Sequence, residues 1–195
     1  AGRSTLRLSE SRILPFNFSN FLDTVNLYLR EIKLLSESLR LETRNVNSLL
    51  DEDIYRLALD PAKSFSPPRK TPNVPFFNFS ILDNNLDMRS NAISIYEKAY
   101  YEKGIRPENI IYLNKLLYQS ERLLTRDHGL PNRPWYKHHI YAPGFYTGYG
   151  VKTIPGVREA IEENDFEIVD QQIIIVADII KDLANNLLDA SNLFY

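Results

Sequence analysis

The chain has 195 residues, in which 23 Lys and Arg face 25 Asp and Glu, with three His and no Cys. A formal charge of −2 gives no electrostatic footprint for nucleic acid and no polybasic patch for anionic lipid, so neither is expected as a partner. The hydrophobic fraction of 44% suffices for a core, and the missing thiols exclude disulfides, thiolate nucleophiles and cysteine-type zinc sites together.

The longest apolar run, Ile173 to Ala177, stops at Asp178, far short of the roughly 18 apolar residues a membrane span needs. No direct membrane contact is expected of this segment. The start has no signal-peptide pattern, and Ala1-Gly2 reads as a remnant at the head of an excised piece of a longer protein.

In chain order, a first helix is predicted to open at Ser19 or Asn20, both good N-caps. Phe21, Leu22, Val25, Leu29, Ile32, Leu35 and Leu39 then recur at three- and four-residue steps as one apolar stripe. From Leu41 to Pro75 the periodicity fades. A short helix is expected over Asp51 to Leu59, followed by an extended surface loop or mobile insertion over Ser64 to Pro72, where prolines are too dense for helix.

A second long helix is predicted over Ile81 to Lys103, ended by Gly104, and a third from Pro107 to Gly129. Leu130 to Pro155 is rich in proline, glycine and aromatic residues, with Trp135 to Tyr141 the one β-prone stretch. A short helix over Gly156 to Asn164 precedes the last long one, Glu167 to Leu188. That helix is apolar on more than one face, which means either a central position or one face for the core and another for a partner. Ile174, Val176 and Ile180 are its candidate interface residues, each equally suited to the core.

Catalytic patterns are missing. His138 and His139 are adjacent, so on a strand they point to opposite faces and cannot clamp one metal, and His128 stands alone. The acidic pairs read as solvated turns and caps, and Gly144, Gly148 and Gly150 lack the lysine and preceding strand of a phosphate loop. No catalytic residue, metal site or cofactor is therefore assigned to this segment. Asn17-Phe18-Ser19 and Asn78-Phe79-Ser80 are N-glycosylation sequons, although about two matches are expected by chance among 17 asparagines.

Gly129-Leu130-Pro131-Asn132-Arg133-Pro134-Trp135-Tyr136-Lys137-His138, continued by Ile140-Tyr141-Ala142-Pro143, resembles a long run found in glutamate carboxypeptidase II and its relatives. Ile154-Pro155-Gly156-Val157 with Ala160-Ile161, and Ile13-Leu14-Pro15-Phe16 near the start, are similar to two further stretches of that family. The resemblance covers nearly the whole chain, residues 1–195, as a transferrin receptor-like dimerisation domain, with 41–75 as a lineage-specific insertion. It implies an all-α helical bundle of about four long helices, with a Pro/Gly/aromatic-rich loop and room for one short strand.

It further implies a non-catalytic, homodimerising scaffold domain that follows a protease-like domain, with two zinc ions, and an apical domain in the parent protein. By the same resemblance, Thr147, Gly148 and Tyr149 fall on the loop that borders the substrate pocket. Tyr149 matches the family there, whereas Gly148 stands where a lysine would hold a substrate carboxylate. The implied setting is the lumenal or extracellular side of a single-span, type II membrane protein in a vacuolar or endosomal compartment, with a role in vacuolar protein sorting. Rival expectations are the C-terminal part of an active zinc metallopeptidase, or a receptor or sorting adaptor with an inactive protease body.

Overall fold

The structure, a computed structural model, describes residues 2–57 and 66–195. It is mostly helical. An exposed α1 (Gly2–Glu10), for which the sequence offered no signal, leads into α2 (Phe18–Asp51), α3 (Ile54–Leu57), α4 (Ser80–Glu102) and α5 (Pro107–Gln119). A 3-10 turn (Ser120–Leu124), a two-stranded hairpin of β1 (Tyr141–Pro143) and β2 (Val151–Thr153), α6 (Pro155–Glu162) and α7 (Phe166–Ser191) complete the order. The four long helices, α2, α4, α5 and α7, form the bundle.

Side-chain ties fix the helix directions. Ser19 donates to Glu97 and Lys33 pairs with Asp83, so α2 and α4 run antiparallel. The Asn85 amide donates to the Ala177 carbonyl, and the Tyr195 N–H to the Gly104 carbonyl, so α4 and α7 run parallel. Asn109 reaches the Leu193 carbonyl and Asn186 the Leu116 carbonyl, which makes α5 antiparallel to α7.

Helix α7 sits in the middle of this arrangement. Val169, Ile173, Val176, Ala177, Ile179, Ile180, Leu183 and Leu187 are all buried. Its apolar character on several faces thus answers to several neighbours in the same chain.

Several boundaries differ from the sequence reading, each for a local reason. Asn17, not Ser19, caps α2: its Oδ1 accepts the Asn20 N–H at 2.9 Å, while the Ser19 hydroxyl turns to Glu97. Helix α2 does not fade at Leu39 but continues to Asp51, so 41–51 is regular helix within the stretch read as an insertion. The apolar stripe is replaced there by polar anchors. Asn47 is buried and bonds the Thr71 carbonyl and Asn73, Arg40 reaches the carbonyls of Val74 and Pro75, and Lys70 pairs with Asp51. Residues 66–79 therefore return along α2 as an extended strap that buries Val74 and Phe77.

Of the segment Ser64 to Pro72, Ser64 and Phe65 lie outside the described residues, as do Ala58 and Leu59 of the expected short helix. The third helix ends at Gln119 rather than near Gly129. The buried Ser120 bonds back to Leu116 and receives Asn186 from α7 as the chain tightens into the 3-10 turn.

Candidate functional site

The aromatic segment between α5 and α6 is built on one buried ion pair. Gly129 has φ 67, and a Cβ there would lie 2.2 Å from the Pro134 carbonyl oxygen, so only glycine fits this tight turn. The turn, closed by Leu130 N–H to the Tyr136 carbonyl at 2.8 Å, tucks Arg133 inside. The Arg133 guanidinium pairs with Glu159 of α6 at 2.5 Å, donates to the Pro143 carbonyl, and lies between the rings of Tyr136 and Phe145. The second oxygen of Glu159 accepts the Phe145 N–H at 2.9 Å. One carboxylate thus joins α6, the Gly129 turn and the hairpin.

The strand expected over Trp135 to Tyr141 does not form. There the backbone makes one isolated antiparallel bridge, Thr125 with His138, and a turn bond from Leu130, and the ladder begins where Tyr141 meets Thr153. Between the strands runs Gly144 to Gly150. Thr147, Gly148 and Tyr149 are gathered at its tip, all exposed, with Gly148 at φ 52 in the left-handed region. Tyr146 is exposed beside them, and residues 144 to 150 include no Asp, Glu, Lys, Arg or His. The nearest strand cation, Lys152, is engaged by Glu162 at 2.7 Å.

Beneath the hairpin lie the histidines. His138 Nδ1 accepts the N–H groups of Ile140 and Tyr141, and its Nε2 is 3.2 Å from Glu121. Burial lowers the His138 pKa in spite of that carboxylate. His139 is wholly buried beside the His128 ring, and neither of its nitrogens meets a hydrogen-bond partner among the described residues. Burial first, then His128, Arg126 and His138, depress its pKa to about 4. Among the described residues no three His, Cys, Asp or Glu side chains are grouped to hold a metal ion.

The three residues proposed on α7 for a partner surface divide. Val176 and Ile180 are 1% and 2% exposed and belong to the core, because α7 is enclosed by its neighbours; only Ile174, at 49%, reaches the surface. Sequence reasoning missed a companion row on α4: Ile81, Met88 and Ile95, seven residues apart, are all exposed on the side that carries Asn85, the residue bonded to α7. A second row, Leu27, Leu34 and Leu41, lines the outer side of α2. Seven-residue spacing was the signal for both, hidden by the stronger core stripes.

Asn17 and Asn78 are both exposed, each using Oδ1 for a local backbone bond, to Asn20 and Ser80 respectively. Among the described residues no helix is long and apolar enough to cross a membrane.

A parallel α4–α7 pair flanked by α2 and α5, with a clamped aromatic hairpin, defines the class of the chain as a helical bundle domain. The chain belongs to the transferrin receptor-like dimerisation domain family, whose model matches residues 82–188. It is 33% identical over 161 residues to a probable glutamate carboxypeptidase of Arabidopsis thaliana, across 83% of this chain and 18% of that protein. It is 29% identical over 105 residues to a probable glutamate carboxypeptidase of Arthroderma benhamiae, across 53% of this chain and 14% of that protein. The chain spans less than a fifth of the length of these curated relatives.

Proposed function

We propose that this chain pairs two copies of a larger glutamate carboxypeptidase-like protein, and that the side of α4 and α7 bearing Ile81, Met88, Ile95 and Ile174 is the contact. The observation that carries the reading is that Met88, Ile95 and Ile174 of that exposed apolar row lie within the part of the chain, 82–188, matched by the family model, with Ile81 at its edge. Sedimentation equilibrium of the chain is the test, with association at micromolar protein as the expected result.

In the full-length protein, the loop Thr147–Gly148–Tyr149 borders the pocket of a protease-like domain. Zinc ligands for such a domain would lie outside this chain, and the charge-free loop favours no acidic substrate terminus. Attachment of sugar at Asn17 and Asn78, a lumenal or extracellular position on a single-span membrane protein, and service in vacuolar sorting belong to the same proposal.

A working peptidase parent is the second reading, favoured by the printed names of the two relatives. Peptide hydrolysis by the zinc-loaded full-length protein separates it from an inactive scaffold. Tryptic peptides shifted in mass at Asn17 or Asn78 test the sugars.

A further inference from the structure

Away from the hairpin, the loop that enters α2 faces the C-terminal half of α4 across a cavity of about 150 Å³. Its walls are rings: Phe16 from the loop and Tyr96, Tyr100 and Tyr101 from α4, with the Glu97 carboxylate among them. The rings brace one another. Phe16 stacks on Phe18 at 5.8 Å, Phe18 meets Tyr96 edge-on at 5.8 Å, and Tyr100 meets Tyr101 edge-on at 5.0 Å. Glu97 is held by the Ser19 hydroxyl at 2.6 Å, and among the described residues no Lys, Arg or His comes within ion-pair distance of it.

We propose that this cavity is a binding site for a small quaternary ammonium group, with Phe16, Tyr96, Tyr100 and Tyr101 as the aromatic walls and Glu97 as the counter-charge. The negative faces of aromatic rings attract a cation within about 6 Å of the ring centre, most strongly one that has little water to lose. The unpaired carboxylate adds to the same field. Burial first, then the neighbouring Tyr100 and Tyr101 hydroxyls and Glu97, raise the pKa of the Tyr96 hydroxyl, as expected where acidic groups converge without a cation.

The quaternary form is preferred over a primary amine by hydrogen-bond supply. An –NH3+ group brings three donors that each need an acceptor. Here one Glu97 oxygen already accepts from Ser19, and the Oδ1 of the bordering Asn17 accepts the Asn20 N–H. A tetra-alkylated nitrogen asks for no acceptor and needs only the rings and the charge.

The test is NMR titration of the 195-residue chain with choline chloride, ethanolamine hydrochloride and 3,3-dimethylbutan-1-ol, the last having the shape of choline without its charge. Choline is expected to shift the ring resonances of Tyr96, Tyr100 and Tyr101 saturably, with the other two at least about tenfold weaker. Glu97→Gln and Tyr101→Ala should each weaken choline about tenfold. Tyr101 is 79% exposed, so its removal leaves the core intact and the variant folded. Equal binding of the neutral alcohol, tighter binding of ethanolamine, or no saturable shift with choline would each overturn the site.

Discussion

At the scale of single residues, the departures from an oil-like core carry the sharpest consequences. Arg89 sits on α4 in the register of Leu82, Leu86 and Ile93, fully buried, and none of its three nitrogens meets an acceptor among the described residues. Among the described residues its compensation is the face of Phe21, 4.5 Å away, and burial lowers its pKa to about 10. An isolated cation in such a place costs several kcal/mol, more than one ring returns. Arg89→Met should therefore stabilise the chain, by about 1–3 kcal/mol, read as a raised denaturant midpoint. A clear loss of stability would mean that the guanidinium has a partner the fold depends on.

His139 gives a pH dependence at the same scale. The folded chain holds it neutral down to about pH 4, whereas the unfolded chain takes up a proton near the ordinary value of 6.5. Between those values the unfolded state binds the extra proton, so the contribution of His139 is complete above about pH 6.5 and is lost as pH falls toward 4. The loss should be of order 3 kcal/mol across that window. In chemical denaturation at a series of pH values, His139→Leu should flatten this part of the profile; an unchanged slope would assign it to other groups.

At the scale of elements, the hairpin depends on Glu159 more than on its own ladder, which holds three residue pairs. Glu159→Gln would leave Arg133 buried without its counter-charge and weaken the brace on Phe145, a loss of about 3–5 kcal/mol. Hydrogen exchange across 141–153 should accelerate more than exchange in α7; uniform change would place the clamp's role in global stability alone. The same scale separates what the sequence made legible from what it hid. Helices α4, α6 and α7 were readable to within a few residues, because apolar periodicity marked all three while Gly104 closed α4 and Pro155 opened α6. The second half of α2 was not, because Asn47, Arg40 and Asp51 hold it through a strap 19 to 35 residues further on, a relation no local period records. The loop tip at Thr147, Gly148 and Tyr149 was found by resemblance, but its anchor was not, since Arg133 and Glu159 lie 26 residues apart.

At the scale of the whole molecule, the question is which apolar row meets a second copy. Two candidates are exposed: Ile81, Met88 and Ile95 on α4 beside Ile174 on α7, and Leu27, Leu34 and Leu41 on the outer side of α2. The family model covers residues 82–188 and so includes all but the last three residues of α7 and all but the first two of α4, while α2 lies wholly before it. A pairing function shared by the family should reside on the shared part, which favours the α4–α7 side. A two-fold contact brings each row against its own copy, so one acidic substitution enters the interface twice. Met88→Asp and Ile174→Asp should each shift the chain toward monomer in sedimentation equilibrium, whereas Leu34→Asp should not. A specific interface of ordinary size buries about 1,600 Å² in total, and a buried unpaired carboxylate on each partner is enough to weaken association at least tenfold. If Leu34→Asp alone produces the monomer, the pairing surface is α2. If the unaltered chain stays monomeric at high micromolar concentration, this domain does not associate by itself and the contact needs the remainder of the parent protein.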